Sequence, residues 1–433
     1  MRRFGASLLF VGLYSGVHAA TLTVGAGKTY ARIEDAVTAS RAGDTIAVYR
    51  ASGSGAYVRP MISIAKANLK IIGMGTTPVL LDGTGGNYSG AGSVPRALIQ
   101  VNPGGDGLLI ENLDLRNAHN DTHNGAGVRI NQASRVTIRK CRITANDMGI
   151  MSNGNGSSTS ASDQLIEYCR IDGNGSLADP GYNHNLYLGG TGATVQFCDI
   201  AGALTGHNFK SRAHFNLIRY NYIHDSANRE IDLVDASETA RPNSHSVLLG
   251  NLIVKKANTD GNRGTVHFGQ DGGGQHSGTL YLINNTIVTP YLSPVLLMTA
   301  SQGKARFVNN VIFNSAQSAP ALIQLPAGAP PSTVTGDNNW ISKGYSLAGT
   351  AISLATRYQG SSIASHPGFA NVTNKDYWIL PASATFPTIA APTYLDGGGV
   401  SRSAIPTFQY RAVAQSLAIS WTSKRYLGAG LKR

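Results

Sequence analysis

Apolar and polar positions follow a short repeat through the centre of the chain. An apolar residue precedes two variable residues, then Cys or Asn, one more residue, and Ile. The repeat reads IRKCRI (138–143), IEYCRI (166–171), VQFCDI (195–200) and IRYNYI (218–223). It continues as LLGNLI (248–253), LINNTI (282–287) and FVNNVI (307–312). Upstream, the stretch 110–115 fits with Leu113 in the Cys/Asn slot. The period ranges from 23 to 34 residues, so the insertions are loops on a fixed core pattern.

Each unit carries a further short segment with period-2 alternation. These are GVRIN (127–131), GIMSN (149–153), NLYLG (185–189), NFKSR (208–212), EIDLV (230–234), TVHFG (265–269) and PVLLM (294–298). Short strands joined by Gly/Asn/Ser turns, with no helix-length segment between them, predict an all-β parallel β-helix. Coils would stack at about 4.8 Å, hydrogen-bonding along the solenoid axis. One coil cannot bury its own apolar face, so the stack makes the core.

Cys141, Cys169 and Cys198 fill the slot in three successive coils, and Asn221, Asn251, Asn285 and Asn310 in the next four. Stacked amides can hydrogen-bond from coil to coil. Stacked cysteines point in parallel, which opposes the disulfide torsion. Three buried thiols are expected, neither catalytic nor metal-binding.

The ends differ. TYARIEDAVTASRAGDTIAVYR (29–50) predicts an amphipathic helix, with Ile33, Ala36 and Val37 on one face, and then a strand. It is the expected N-terminal cap of the solenoid. Residues 1–20 have a basic start at Arg2 and Arg3, a short apolar run and a small-residue end. That is the layout of a signal peptide, implying a secreted or periplasmic protein. Residues 21–334 are expected to form the β-helix, and 335–433, rich in Pro, Ser and Ala, an irregular tail packed on it.

Charged residues make up only 14% of the chain, yet the net charge is +12. A basic surface favours acidic partners. No Lys/Arg run, stacking motif or zinc spacing points to nucleic acid. No later stretch is long and apolar enough to span a membrane as a helix. The expected partner is an acidic polysaccharide, bound by a monomer.

Alternation turns Phe209 and Ser211 inward and Asn208, Lys210 and Arg212 outward. The same phase gives an outward column of Arg129, Met151, Tyr187, Lys210, Asp232 and His267. Asn185, Asn208 and Glu230 flank it, and His184, His207 and Arg229 occupy the slot just before these strands. A bland reading is a solvated face with Lys210–Asp232 and Arg212–Glu230 pairs, which contribute about 0–1 kcal/mol each.

The cap segment, LKIIGMG (69–75) and the coils with their Asn ladder resemble the pectin lyase-like superfamily of right-handed parallel β-helices. That resemblance covers most of the chain and implies fold more than activity. In lyases of this type, acidic sugar chains bind along the strand face that here includes NFKSR. A narrower likeness is to the family of alginate and chondroitin lyases containing chondroitinase B. Its catalytic K-S…N…R-x-N stretch is matched by Lys210, Ser211, Asn216, Arg219 and Asn221. Its Arg on the next coil falls at Val234 here, and its calcium-binding acids at Thr205, Gly206 and His207, so neither carries over.

The leading chemistry is β-elimination on a uronate polymer. A base must take the proton beside the sugar carboxylate while cations stabilise the charge that develops. Lys210 is the expected base. Arg212 and Arg229 would hold the carboxylate, Tyr187 would protonate the leaving oxygen, and His184 or His207 suit either role. Asn185, Asn208, Glu230, Asp232, His267 and Arg129 are expected to line the substrate. One alternative is a hydrolase using Glu230, Asp232 and Asp235, with Glu230 and Asp232 sharing a face about 6.5–7 Å apart. The others are calcium held by those three acids, uronate epimerisation, and glycan binding without catalysis. No cofactor is required by the elimination reading.

Overall fold

The structure, a computed structural model, describes residues 18–272, 274–291, 294–315, 321–329, 333–347, 350–352, 365–381, 391–412, 414–419 and 426–432. The signal-peptide segment falls almost wholly outside them. Among these residues the chain winds into a right-handed parallel β-helix of three long sheets. The first sheet runs through 13 strands, from Thr21–Val24 to Ala351–Ile352. The second has 11, from Tyr57–Val58 to Trp340–Ile341. The third, here the groove sheet, has 10, from Ile62–Ile64 to Ile323–Gln324.

The repeat is the corner between the first two sheets. The residue before the slot adopts a left-handed backbone in coil after coil: Lys140 (φ 52°), Tyr168 (54°), Asn284 (53°) and Asn309 (58°). Asn tolerates that region better than most L residues, and Gly250 (φ 67°) meets no steric cost there. Apolar residues on either side then point into the core, where Ile138, Ile166, Val195, Ile218 and Leu248 are fully buried.

The slot side chains stack as expected. Asn221 donates to Asn251, Asn251 to Asn285 and Asn285 to Asn310, at 3.0, 3.0 and 3.1 Å. The ladder runs one rung further, to Asn339 at 2.9 Å. All three cysteines are buried free thiols.

A helix at Ile33–Ala39 buries Ile33, Ala36 and Val37 over the end of the core. At the other end, coil pairing continues through Val334–Asp337 to Ile352, past the boundary expected at 334. The repeat is harder to see there because Gly336 stands where it has its first apolar residue, although Asn339 keeps the slot and Ile341 the Ile. Beyond lie three antiparallel hairpins, at 369–379, 393–403 and 408–418. Phe369, Tyr377 and Leu427 pack on Leu252, Val288 and Val311 of the second sheet. Tyr394 and Ala404 pack with Leu217, Val247 and Tyr281 of the first. These clusters cover the outsides of two sheets and not the groove sheet.

Candidate functional site

The groove sheet sets the column of outward residues by register. Arg129 pairs with Met151, Met151 with Tyr187, Tyr187 with Lys210, Lys210 with Asp232, and Asp232 with His267. The strands stay in phase because Leu186, Phe209, Ile231, Val266 and Phe268 all bury their side chains inside the helix. A one-residue slip would turn that whole set to solvent.

Over the middle of this column lies a cleft of about 410 Å³. His184, Tyr187, His207, Lys210, Arg212, Arg229 and Asp232 line it together with Tyr182, Asn228, Asn262 and Asp271. Asp232 is its buried centre. His267 Nδ1 lies 2.8 Å from Oδ1 and Arg229 donates to the same oxygen at 3.2 Å. His207 Nε2 and Lys210 Nζ each lie 3.3 Å from Oδ2. Burial alone would raise the Asp232 carboxyl, but His207, His267 and Lys210 outweigh it and hold it well below the usual range.

His184 and His207 are neutral groups in a cationic cleft. Burial pushes His207 down to about 4, the nearby cations adding to the effect. Burial, with His207 beside it, holds His184 well below its ordinary value. Their rings stack at 5.0 Å, and His184 Nδ1 accepts the backbone N–H of His207 at 3.0 Å. His184 therefore carries its proton on Nε2 and is a donor toward the cleft. His207 Nδ1 is buried without a hydrogen-bond partner among the described residues.

Asp271 closes the arrangement. Its Oδ2 accepts from Lys210 Nζ at 2.7 Å and from Arg212 Nη2 at 2.9 Å. Arg212 also donates from Nε to the Tyr187 hydroxyl at 2.8 Å and from Nη1 to the Asp235 carbonyl. The loop carrying Asp271 is tied down by the Asp235 carboxylate, which accepts the backbone N–H groups of Asp271, Gly272 and Gly274. Asp271 follows the TVHFG strand in a Gly-rich stretch, and no periodicity indicates that this loop turns back over two coils.

Several expected positions are corrected. Asn185, Asn208 and Glu230 do not face the groove. They belong to a second ladder inside the helix, in which Asn146 donates to Asn174, Asn174 to Asn185, Asn185 to Asn208 and Asn208 to Glu230. The strands begin one residue later than the alternation assumed, at Leu186, Phe209 and Ile231, and the preceding residue turns into a corner. Glu230 and Asp232 thus do not share a face, and no Arg212–Glu230 pair forms. Glu230 is fully buried against Lys255 at 3.8 Å. Burial pushes its carboxyl up.

His267 is buried behind Asp232, its other nitrogen 2.8 Å from Thr299 Oγ1. Arg129 lies two rungs beyond Tyr187 and outside the cleft lining. Of the K-S…N…R-x-N stretch only Lys210 reaches the cleft. Ser211 donates to Asn216 internally, Arg219 bonds Gln196 on the neighbouring strand of the first sheet, and Asn221 sits in the slot ladder.

The calcium set does not assemble either. Glu230 points into the core, Asp235 is spent on loop N–H groups, and Asp232 is surrounded by cations and imidazoles. Among the described residues no three His, Cys, Asp or Glu side chains group as metal ligands.

No family model and no curated protein matches this chain. Among solved structures, the pectate lyase Pel9A aligns over 96% of this chain and 98% of its own, with TM-score 0.53 and 12% identity. The two share the right-handed parallel β-helix fold. The pectin methylesterase PemA from Erwinia chrysanthemi aligns over 78% of this chain and 92% of its own, at TM-score 0.36 and 13% identity. At 12% identity the likeness to that pectate lyase speaks for the scaffold alone, and the chemistry has to be read from the cleft. Among the described residues no helix is long and apolar enough to cross a membrane.

Proposed function

We propose that this protein is an exported polysaccharide lyase that cleaves a uronate-containing polysaccharide by β-elimination. The observation that carries the reading is the Asp271 carboxylate bridging Lys210 and Arg212. Those two cations are spaced to hold a carboxylate, and a sugar carboxylate arriving in the cleft takes that place.

The charge balance then selects the base. The lining has three cations, Lys210, Arg212 and Arg229, against the carboxylates of Asp232 and Asp271. When a substrate carboxylate replaces Asp271, the two arginines balance it and Asp232. A guanidinium cannot give its proton up, which leaves Lys210 as the cation of the lining able to act as a base. His184 has its Nδ1 occupied, and the free nitrogen of His207 is shut away from the cleft. Lys210 as amine takes the proton from the carbon beside the sugar carboxylate. Arg212 stabilises the charge moving onto that carboxylate. A carbon–carbon double bond forms as the glycosidic carbon–oxygen bond breaks. The Tyr187 hydroxyl, its oxygen already accepting from Arg212, gives its proton to the leaving oxygen.

A hydrolase is less well supported. It needs a carboxyl kept protonated as general acid. The Lys210 hydrogen bond and Asp232's own partners hold Asp271 and Asp232 low, and Glu230, whose carboxyl is raised, faces the core.

The layout of residues 1–20 supports export. The test is incubation with uronate polymers while ultraviolet absorbance from the new double bond is followed. Lys210→Ala and Lys210→Arg should both abolish the signal while melting as the wild type does. Reducing ends without absorbance would establish hydrolysis instead, and exchange at the sugar carbon without cleavage would establish epimerisation.

A further inference from the structure

Arg129 stands outside the Lys210 cleft but on the same sheet, in the strand Ala126–Asn131. It is half-buried, and neutral groups hold its guanidinium. Nε donates to Asn131 Oδ1 and Nη1 to Met151 Sδ, both at 3.1 Å. Asn131 in turn donates to Asn102 Oδ1 at 3.1 Å, and Gln100 donates to the same oxygen at 3.0 Å. No carboxylate pairs with Arg129 among the described residues. Burial, and a second cation in Arg96 at the mouth of the neighbouring strand, hold it below its ordinary value. Arginines on the outer faces of the other two sheets differ: Arg139, Arg142 and Arg170 each reach a carboxylate.

A half-buried charge without a counter-ion is costly to keep, and a thioether is a weak acceptor for it. The groove joins this charge to the Lys210 cleft. A second cleft, of about 230 Å³, shares Tyr187 and Arg212 with the first and runs to Met151, on which the Arg129 guanidinium rests. The carboxylate of its wall, Glu238, accepts from the Gly156 N–H and the Ser237 hydroxyl and makes no ion pair with Arg129. By register Arg129 is three rungs from Lys210, through Met151 and Tyr187. At about 4.8 Å a rung the separation is about 14 Å, or about three sugars along a polysaccharide.

We infer that Arg129 is the centre of a distal oxyanion subsite, which takes a second carboxylate or a sulfate of the polysaccharide whose uronate sits at Lys210 and Arg212. The guanidinium keeps Nη2 without a hydrogen bond among the described residues, and that edge is the donor offered to the ligand. Arg96 adds to the local positive field. The intervening sugars are free to turn their acidic groups away, because only the group in register with Arg129 is read. The inference rests on the proposed function for where the first uronate binds, and not on elimination.

The test measures binding apart from turnover. Wild type, Arg129→Gln and Arg142→Gln are run in cold native gels containing hyaluronan, chondroitin sulfate, alginate or polygalacturonate. Arg142→Gln removes the same charge from another sheet, and thermal melting confirms that both variants are folded. For the polymer that retards wild type most, Arg129→Gln should raise the apparent Kd about tenfold, and Arg142→Gln less than about twofold. A loss confined to chondroitin sulfate assigns a sulfate to the subsite, and a loss on the carboxylate-only polymers assigns a carboxylate. Sized fragments of the same polymer then test the distance. Arg129→Gln should weaken a hexasaccharide and leave a disaccharide, too short to span the rungs, unchanged. Equal effects of the two variants, an equal loss on the disaccharide, or no retardation by any of the four polymers would overturn the inference. Retardation that depends on Arg129 without ultraviolet-absorbing products would sink the elimination chemistry and leave the subsite standing. Such products with unchanged binding by Arg129→Gln would do the reverse.

Discussion

Asp271 Oδ2 lies 2.7 Å from Lys210 Nζ although 61 residues separate them, because the loop after one groove strand folds back over two coils. The Asp271 side chain is 42% exposed, while that of Lys210 is 11% exposed. An incoming carboxylate has to displace this internal one. Exposed ion pairs contribute about 0–1 kcal/mol. Asp271→Asn should therefore lower KM for a uronate polymer by up to about fivefold, with kcat nearly unchanged. Steady-state kinetics on both proteins checks it, and a raised KM would mean that Asp271 helps to bind substrate.

Tyr187 holds its oxygen against Arg212 and its ring 5.9 Å from Lys210 Nζ. Tyr187→Phe keeps the ring and removes the proton offered to the leaving oxygen. A drop in kcat of about 10²-fold or more is expected, with KM little changed. A substrate with a good leaving group, such as a nitrophenyl uronoside, should recover most of the loss.

Acid should destabilise the fold through buried imidazoles. Burial holds both His207 and His276 at about 4, below the unfolded value of about 6.5. Between those values the unfolded chain binds more protons. Their contribution is full above about 6.5 and is lost as pH falls through about 4. Melting temperature should fall across that window, and His276→Gln, away from the cleft, should flatten the fall.

Glu230 acts in the opposite sense. Its carboxyl is raised in the fold, so it favours the native state at acid pH and loses that contribution as pH rises through its folded value. Glu230→Gln preserves an acceptor for Asn208 and removes the titration, while Lys255 keeps the carbonyls of Ser226 and Asn228. Melting temperature in the variant should climb more steeply with pH than in the wild type above the ordinary carboxylate range.

Asn285 accepts from the backbone and amide of Asn251 and donates to the Leu248 carbonyl and to Asn310. Asn285→Ala would orphan several buried polar groups at about 1–3 kcal/mol each. A loss of about 3 kcal/mol or more in urea unfolding is expected. A much smaller loss would mean that water fills the rung.

The coil pattern and the outward column were legible in the sequence because both follow from a strict period of two and a recurring corner. Lys210, Tyr187 and Asp232 could be placed on adjacent rungs without coordinates. The same rule failed at Asn185, Asn208 and Glu230, where the strand had not yet begun and a polar side chain could turn inward to a ladder partner. It could not reach Asp271 or Tyr182, which come from loops whose paths depend on contacts such as the Asp235 carboxylate.

Cys141, Cys169 and Cys198 stand on three consecutive coils just upstream of the slot amides, each buried. Burial pushes the thiols of Cys141 and Cys169 well above their ordinary value, so neither is a ready nucleophile while its coil is closed. A thiol reagent therefore modifies these residues only when the local coil opens. The three positions make the chain its own reporter of unzipping: the order in which they are labelled under mild denaturant reads the direction in which the solenoid comes apart.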